Sequence, residues 1–502
     1  MSTAMTTYTA AGPPRAPRRS RLLVIVLVGL VLGALVGLLP GVRGPRLGPA
    51  TTGDAALAAD VRASLATDRG FESLSAARVR DGRLTFAGLG GTTSGTPTPD
   101  TAFELGSITK TFTGALLADA VRRGEMRLDE PVATYLEELR DTPAGASTLR
   151  QLATHTAGLP SFPDSLAPSI VLRALGNDNT YPGSVAELLD ATRATAVEAP
   201  GQYAYSNLGM SLLGHAEARA AGAADWPTLA RTRIFDPLGM SATVIATEEA
   251  QVPADAAPPH HVNGWPAPFW WGAAFAPAGS STFTTAADLA TWAQATLDGR
   301  APGVAALDPL QAIPSGSIGL AWHTTEVDGR TVTWHNGGTG GTRTILAIDR
   351  DQRQAVLLLS NSGRDADATG IRLAALGKGT APRAVDTVEA GWRSLLGWSV
   401  VGLVLLGTAV LRLRKPRSWL DVVDGTAAGA TGLLALLVHG PWHVVPLLVW
   451  TALVGGTVAL VVRAVLRDRP GTAGAPSRRT VRRSVVSLVS TALVLAFVVW
   501  TM

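Results

Sequence analysis

The sequence predicts an α+β domain carried on transmembrane helices, and three observations support that reading. Strand-like runs gather toward the two ends of residues 47–380, helical periodicity fills the stretch between them, and long apolar runs flank the whole on both sides. The implied organisation is a cytoplasmic N-terminus with an anchor or signal at 1–46, a single large domain at 47–380, a linker at 381–393 and a membrane region of about four helices at 394–502.

From the N-terminus, residues 22–42 carry no charge. At about 1.5 Å rise per residue they are long enough to cross a hydrocarbon core of about 30 Å. The preceding Arg15, Arg18, Arg19 and Arg21 also fit a signal peptide, but the nearest small-residue cleavage pattern, Ala56-Leu57-Ala58, lies well past the apolar stretch. That favours a retained anchor, and either reading exports the domain at 47–380. A Gly/Pro-rich stretch at 39–53 reads as a linker.

Inside the domain, strand-like runs fall at 84–87, 331–334, 344–348 and 355–359, and helical patterns at 110–123, 184–195, 208–221 and 286–297. A sheet assembled from both chain ends around an inserted helical region is the arrangement this order implies. The chain turns apolar again at 394–411, 425–462 and 484–502, and His439-Gly440-Pro441 divides the middle run into two spans joined by a tight turn. With two spans between them, the basic stretches at 412–417 and 463–483 lie on one side of the membrane, as the positive-inside rule requires. The domain is then extracytoplasmic. A short interfacial or re-entrant helix at 425–440 is the alternative to the first of those spans.

Charge supports this division. The 43 basic and 39 acidic side chains are distributed as +6 over residues 1–46, +9 over 391–502 and −11 over 47–390. The basic groups flank apolar runs rather than coating the domain, which argues against a nucleic-acid partner and for membrane lipid. There is no cysteine, hence no disulfide framework, thiolate metal site or cysteine nucleophile. No cofactor is expected and no metal: a His-Glu-x-x-His pattern is absent, and His260-His261 lacks the i, i+4 spacing that would put both rings on one helical face. Only three lysines stand against 40 arginines, which draws attention to where each lysine sits.

One of them is in Ser107-Ile108-Thr109-Lys110, at the start of a helical run. Residues three apart share a helical face, so hydroxyl and amine can approach, and a desolvated lysine is neutral enough to serve as a base for a serine nucleophile. A plain N-cap and a solvated lysine fit the same four residues. Tyr205-Ser206-Asn207 leads into the next helical run, where a phenol can move protons and an Asn amide can orient a carbonyl; a packed Tyr and a helix-capping Asn are the alternative. His335-Asn336-Gly337-Gly338-Thr339 comes directly after a strand-like run. Its glycines allow close backbone approach and unhindered N–H groups, although a hairpin turn would use them equally.

In this order the three clusters resemble the serine β-lactamase and penicillin-binding-protein superfamily, in its class C β-lactamase-like and D-Ala-D-Ala carboxypeptidase-like branch. The likeness extends through Glu104-Leu105-Gly106, Leu152-Ala153-Thr154-His155-Thr156-Ala157-Gly158, Pro237-Leu238-Gly239-Met240 and Gly319-Leu320-Ala321-Trp322, over roughly residues 60 to 365. It implies an antiparallel sheet beside a helical region, Ser107 as the acylated residue, Lys110 as its proton partner, Tyr205 as a second proton-transfer group and Asn207 as a substrate-amide contact. It further implies an oxyanion hole from the N–H groups of Ser107 and Gly338, with His335 and Gly337 on the substrate-binding strand.

Where many members carry Lys-Thr-Gly, this sequence has His335-Asn336-Gly337, similar to the H-x-G variant of esterase-like and aminopeptidase-like relatives. A neutral imidazole does not hold a carboxylate as a permanent ammonium does, so the departure weighs against carboxylate-bearing substrates. His155 reads as structural, and Trp270-Trp271 as cleft lining or core. The expected activity is an extracytoplasmic serine hydrolase acting through an acyl-enzyme on an amide, ester or lactam. Its substrate would be a small molecule or peptide, with peptidoglycan peptides the material that compartment offers. The rival is an acylatable membrane sensor with negligible turnover.

Overall fold

The computed structural model describes residues 44–92, 95–262, 264–384, 392–414, 416, 418–439 and 447–466. Residues 44–384 and Trp392 belong to one compact unit and 393–466 to another. In the first unit the strands are β1 (Thr51–Gly53), β2 (Ser73–Arg80), β3 (Arg83–Gly90), β4 (Ala102–Glu104), β5 (Val244–Ile245), β6 (Thr282–Thr285), β7 (Gln311–Ile313), β8 (Gly316–Ile318), β9 (His323–Val327), β10 (Arg330–Gly338), β11 (Arg343–Asp349) and β12 (Gln354–Ser360). The helices that matter for the site are α1 (Ala55–Ser64), α2 (Thr109–Arg123), α3 (Asn207–Ala220), α4 (Ala286–Leu297) and α5 (Asp367–Ala375).

Nine strands form one antiparallel sheet in the order β1-β3-β2-β12-β11-β10-β9-β8-β7, while β4-β6-β5 form a small second sheet. The large sheet is thus closed by pairing β2 from the N-terminal end with β12 from the C-terminal end, Ala76 opposite Leu358. Each of the four expected strand runs lies inside a longer strand, and the expected helix 286–297 matches α4 residue for residue.

Strand β12 shows why its sequence is a continuous apolar run rather than an alternating one. Leu357 and Leu359 join the large core shared with the helical region, including Phe112, Trp292 and Trp322, while Val356 and Leu358 join a second core with Leu57 and Val61 of α1 and Leu373 of α5. Both faces of the sheet are covered, so both side-chain sets are buried.

The fold corrects two expectations. Residues 44–53 are not a free linker. Leu47 is buried with Leu57 and Ala58, its N–H donates to Asp68 O, and β1 pairs with β3. An edge strand with an unpaired ladder gives Thr51-Thr52-Gly53 a partner that composition does not reveal.

The other correction concerns the second unit. Its helices, α6 (Trp392–Leu413), α7 (Trp419–His439) and α8 (Leu447–Leu466), fall where apolar runs were read. Among the described residues, however, no helix is long and apolar enough to cross a membrane. Helix α7 starts at Trp419 rather than 425, because Ser418 and Asp421 cap each other reciprocally: Ser418 N–H donates to Asp421 Oδ2 at 3.1 Å and Asp421 N–H to Ser418 Oγ at 3.3 Å. That start brings Asp421 and Asp424 into its first turns, where both reach Arg412 at 3.1 Å. The expected turn at Gly440-Pro441 and the apolar runs 22–42 and 484–502 lie outside the described residues.

Candidate active site

Ser107 is placed by a short run of constraints. Strand β4 pairs with β6, and the Leu105 N–H donates to Thr282 O. Gly106 then takes φ +62°, a left-handed value open to glycine at little cost, and turns the chain into a 3₁₀ turn at Gly106–Ile108. Helix α2 begins at Thr109, whose hydroxyl donates to Gly106 O at 2.7 Å. Ser107 therefore lies before the helix and caps nothing, so of its two readings the plain N-cap falls away.

Helix α2 is buried on nearly every side, and Lys110 in its first turn is 0 % exposed. Its Nζ stands 2.9 Å from Ser107 Oγ, donates to Ala278 O at 2.6 Å, and lies 4.8 Å from the centroid of the Tyr205 ring. Burial holds the Lys110 amine well below its ordinary value. Among the described residues no carboxylate supports its charged form, and a neutral amine beside a serine hydroxyl can accept its proton.

Tyr205, about a third exposed, sits on the turn before α3 with its ring 4.8 Å from Lys110 Nζ and its hydroxyl turned toward Ser107. Burial of that end raises the phenol above its usual range, so it carries its proton at neutral pH. Ser206, not Asn207, caps α3, accepting from the Gly209 N–H at 2.9 Å. Asn207 is thereby left half-buried at the first position of the helix, with no capping role.

Strand β10 forms the opposite wall. Its alternation sends Val332 and Trp334 to the core under α1 and α5, and His335 and Gly337 the other way. A Cβ on Gly337 would stand 2.1 Å from Leu105 O and 3.1 Å from the Ser107 nitrogen, and one on Gly106 would stand 2.5 Å from the Gly338 nitrogen. Only glycines allow this approach, which brings the Ser107 and Gly338 nitrogens side by side. Thr344 Oγ1 ties the two segments by donating to Leu105 O at 2.6 Å.

His335 is completely buried, and its Nδ1 lies 2.6 Å from Asn336 O. A carbonyl only accepts, so Nδ1 carries the hydrogen and Nε2 keeps a lone pair with no partner among the described residues. Burial, then the neighbouring His323 and Lys110, hold this imidazole well below its ordinary value, so it is neutral. Arg343 does not supply the missing cation at the cleft: its Nη1 donates to Thr339 O at 3.0 Å and Thr342 O at 2.8 Å, fastening the turn beyond β10.

Three further residues were not read from sequence as part of the site. His155 accepts the Ser206 N–H on Nδ1 at 3.2 Å and packs 4.5 Å from the Tyr205 ring, so its structural role is to seat that tyrosine. His323 stacks on Trp334 at 4.9 Å and meets His335 edge-on at 5.5 Å; burial lowers it to about 4. Glu104, two residues before Gly106, is buried between the two sides of the cleft. The one signal available for His323 was its place directly after Gly319-Leu320-Ala321-Trp322. Of the tryptophan pair, Trp270 faces Gly340 and Tyr181, whereas Trp271 packs with Phe283.

A family model described as Beta-lactamase matches residues 55–378. A beta-lactamase of Escherichia coli (strain K12) is 36% identical over 157 residues, 31% of this chain and 37% of that protein. Penicillin-binding protein 4 of Amycolatopsis lactamdurans is 26% identical over 296 residues, 53% and 74% of the two chains. The chain thus spans little more than a third of the first of these relatives. A crystal structure of a class C beta lactamase from Rhodobacter sphaeroides superposes with a TM-score of 0.50 at 26% identity, covering 60% of this chain and 92% of that one.

Proposed function

The chain belongs to the beta-lactamase and penicillin-binding-protein-like family of serine hydrolases, and from that premise we propose that its domain is an extracytoplasmic hydrolase of neutral esters and amides. The observation that carries the reading is the Lys110 amine, fully buried, without a counter-charge among the described residues, and 2.9 Å from Ser107 Oγ.

The steps are set by the positions of the protons. Lys110 takes the Ser107 proton as Oγ attacks the substrate carbonyl carbon. The oxygen that gains charge accepts the Ser107 and Gly338 N–H groups, and the tetrahedral centre collapses to an acyl-enzyme. The proton needed by the leaving group comes through Tyr205, whose hydroxyl is turned toward the same serine. Water then attacks the ester by the reverse proton route. Asn207 at the head of α3 is the contact assigned to a substrate amide.

The neutral His335 supports the substrate class. A carboxylate placed here would meet an unprotonated imidazole rather than an ammonium, with no compensating cation from Arg343. Chromogenic p-nitrophenyl esters are expected to turn over faster than substrates bearing a free α-carboxylate. Labelling with a fluorescent fluorophosphonate and a fluorescent penicillin in parallel tests this, since stronger penicillin labelling would overturn the assignment. A stoichiometric burst with no later turnover on every ester and amide would instead support the sensor role.

Placement outside the membrane rests on the charge-free residues 22–42 and the arginines before them. A cysteine replacing the exposed Thr51 is expected to react with a membrane-impermeant maleimide in intact cells. Labelling only after lysis would refute that placement.

A further inference from the structure

Among the described residues, Glu104 is the one acid buried between the two sides of the cleft, and the acylation and hydrolysis steps do not use it. Only 2 % of it is exposed. Its Oε1 lies 2.7 Å from the Trp270 N–H and its Oε2 lies 2.9 Å from Thr339 Oγ1. The first contact leads to the tryptophan-bearing loop, whose Trp270 indole faces Gly340. The second leads to the turn that ends β10, where Thr339 Oγ1 also lies 2.9 Å from Thr342 Oγ1 and Thr339 O accepts from Arg343. Glu104 itself is fixed on β4, three residues from Ser107. One carboxyl group therefore spans the segment carrying the nucleophile, the oxyanion strand and the aromatic wall.

We propose that Glu104 is a positioning residue: its two oxygens hold the Trp270 loop and the Thr339 turn at a fixed separation, and so set the width of the cleft into which substrate enters beside Ser107. The inference rests on the hydrolase reading for its kinetic consequence, but the clamp itself is a property of the fold.

Burial raises the Glu104 carboxyl to about 8, against the two hydrogen bonds that favour its ionised form. Neighbouring titratable groups do not enter as charge partners: Arg343 is committed to carbonyls of the turn, Lys110 to Ala278 O and Ser107, and Tyr181 packs on the Trp270 ring. Below about 8 the protonated carboxyl donates to Thr339 Oγ1, which passes its own hydrogen to Thr342. Above it the carboxylate accepts from Thr339 and Thr342 donates to Thr339 in turn, so both contacts persist, but the clamp now carries a buried charge that no cation among the described residues offsets, a cost that an opened, hydrated turn relieves. The turn loosens as pH rises, and with it the binding of substrate.

The test combines kinetics with a measurement that needs no substrate. With a p-nitrophenyl ester, wild-type KM is expected to rise about tenfold between pH 7 and 9, the scale of one pH unit of titration above a carboxyl held at about 8, with kcat changing little. Glu104→Gln, whose amide accepts from Trp270 and donates to Thr339 at every pH, should show no such rise. Glu104→Ala should raise KM at all pH values, and Thr339→Val should do the same if the alanine variant does not fold. Independently, hydrogen exchange at pH 7 should increase in Glu104→Ala or Thr339→Val peptides spanning 338–343, and in Glu104→Ala also in those spanning 265–275, with α4 unchanged. A Glu104→Gln variant that keeps the wild-type alkaline rise, or unchanged exchange in these peptides, overturns the proposal. If wild type shows no ester turnover and no Ser107 adduct, the hydrolase reading fails instead, and exchange alone decides the clamp.

Discussion

The two walls of the cleft are encoded at very different distances along the chain. Ser107 and Lys110 are three residues apart and meet at the start of one helix, so their 2.9 Å approach is a local matter. The facing wall takes His155 from a helix end, His323 from the start of β9 and His335 from β10, and these rings meet Lys110 and Tyr205 only because the sheet and helical region close on each other. The local wall holds the hydroxyl and the amine proposed to react. The distant wall supplies the absence of counter-charge: among the described residues, three neutral imidazoles and no carboxylate surround a lysine that would otherwise be protonated. A short motif sets which groups meet, while long-range packing sets their ionisation.

Removing the local wall's base gives the largest effect. Lys110→Ala is expected to lower kcat/KM by about 10³-fold or more, in the range general-base removal produces. Lys110→Arg should be as inactive, because a guanidinium does not give up its proton. Recovery of most activity in the arginine variant would show that charge, not basicity, is what the site needs.

The distant wall is next. Because the amine acts in its neutral form, kcat/KM should climb with pH until Lys110 is deprotonated. His335→Lys, which adds a cation nearby, should shift that climb to lower pH. The same variant should improve carboxylate-bearing substrates relative to neutral esters by about tenfold, the scale of a modest charge-assisted contact. A pH profile unmoved by His335→Lys would separate the two walls electrically and break the comparison.

A smaller effect concerns stability. The folded-state value of His323, about 4, lies below its ordinary 6.5, so its contribution is fully present above about pH 6.5 and is lost as pH falls toward 4. Each unit of depression corresponds to about 1.4 kcal/mol. His323→Phe, which keeps the stack on Trp334, should narrow the gap in Tm between pH 7 and pH 5. An unchanged gap would assign acid sensitivity to other groups.

Legibility in the sequence divides the same way. Strands β10, β11 and β12 were legible because buried β-branched and leucine runs persist through them, and α4 because Thr285 and Leu297 bound a clean helical period. Strand β2, Ser-Leu-Ser-Ala-Ala-Arg-Val-Arg, was not: small and charged residues give it little strand character, and pairing with β3 and β12 imposes the conformation. In the site, the approach of Ser107 to Lys110 is legible in their spacing, whereas the approach of Tyr205 and of the β10 glycines to that pair comes from tertiary packing. The roles of His323 and Glu104 depend on contacts with partners distant in the chain or on burial by the closed fold, which no local pattern records.

The most direct test of the account is where, and at what pH, a covalent adduct forms. Mass spectrometry of fluorophosphonate-treated protein across pH 5–9 should place a single adduct on the peptide containing Ser107. The labelling rate should rise with pH over the acid range in wild type, and no adduct should form in Ser107→Ala or, on the same timescale, in Lys110→Ala. An adduct that persists in Ser107→Ala, or a labelling rate independent of both pH and Lys110, would contradict a serine activated by a buried neutral lysine.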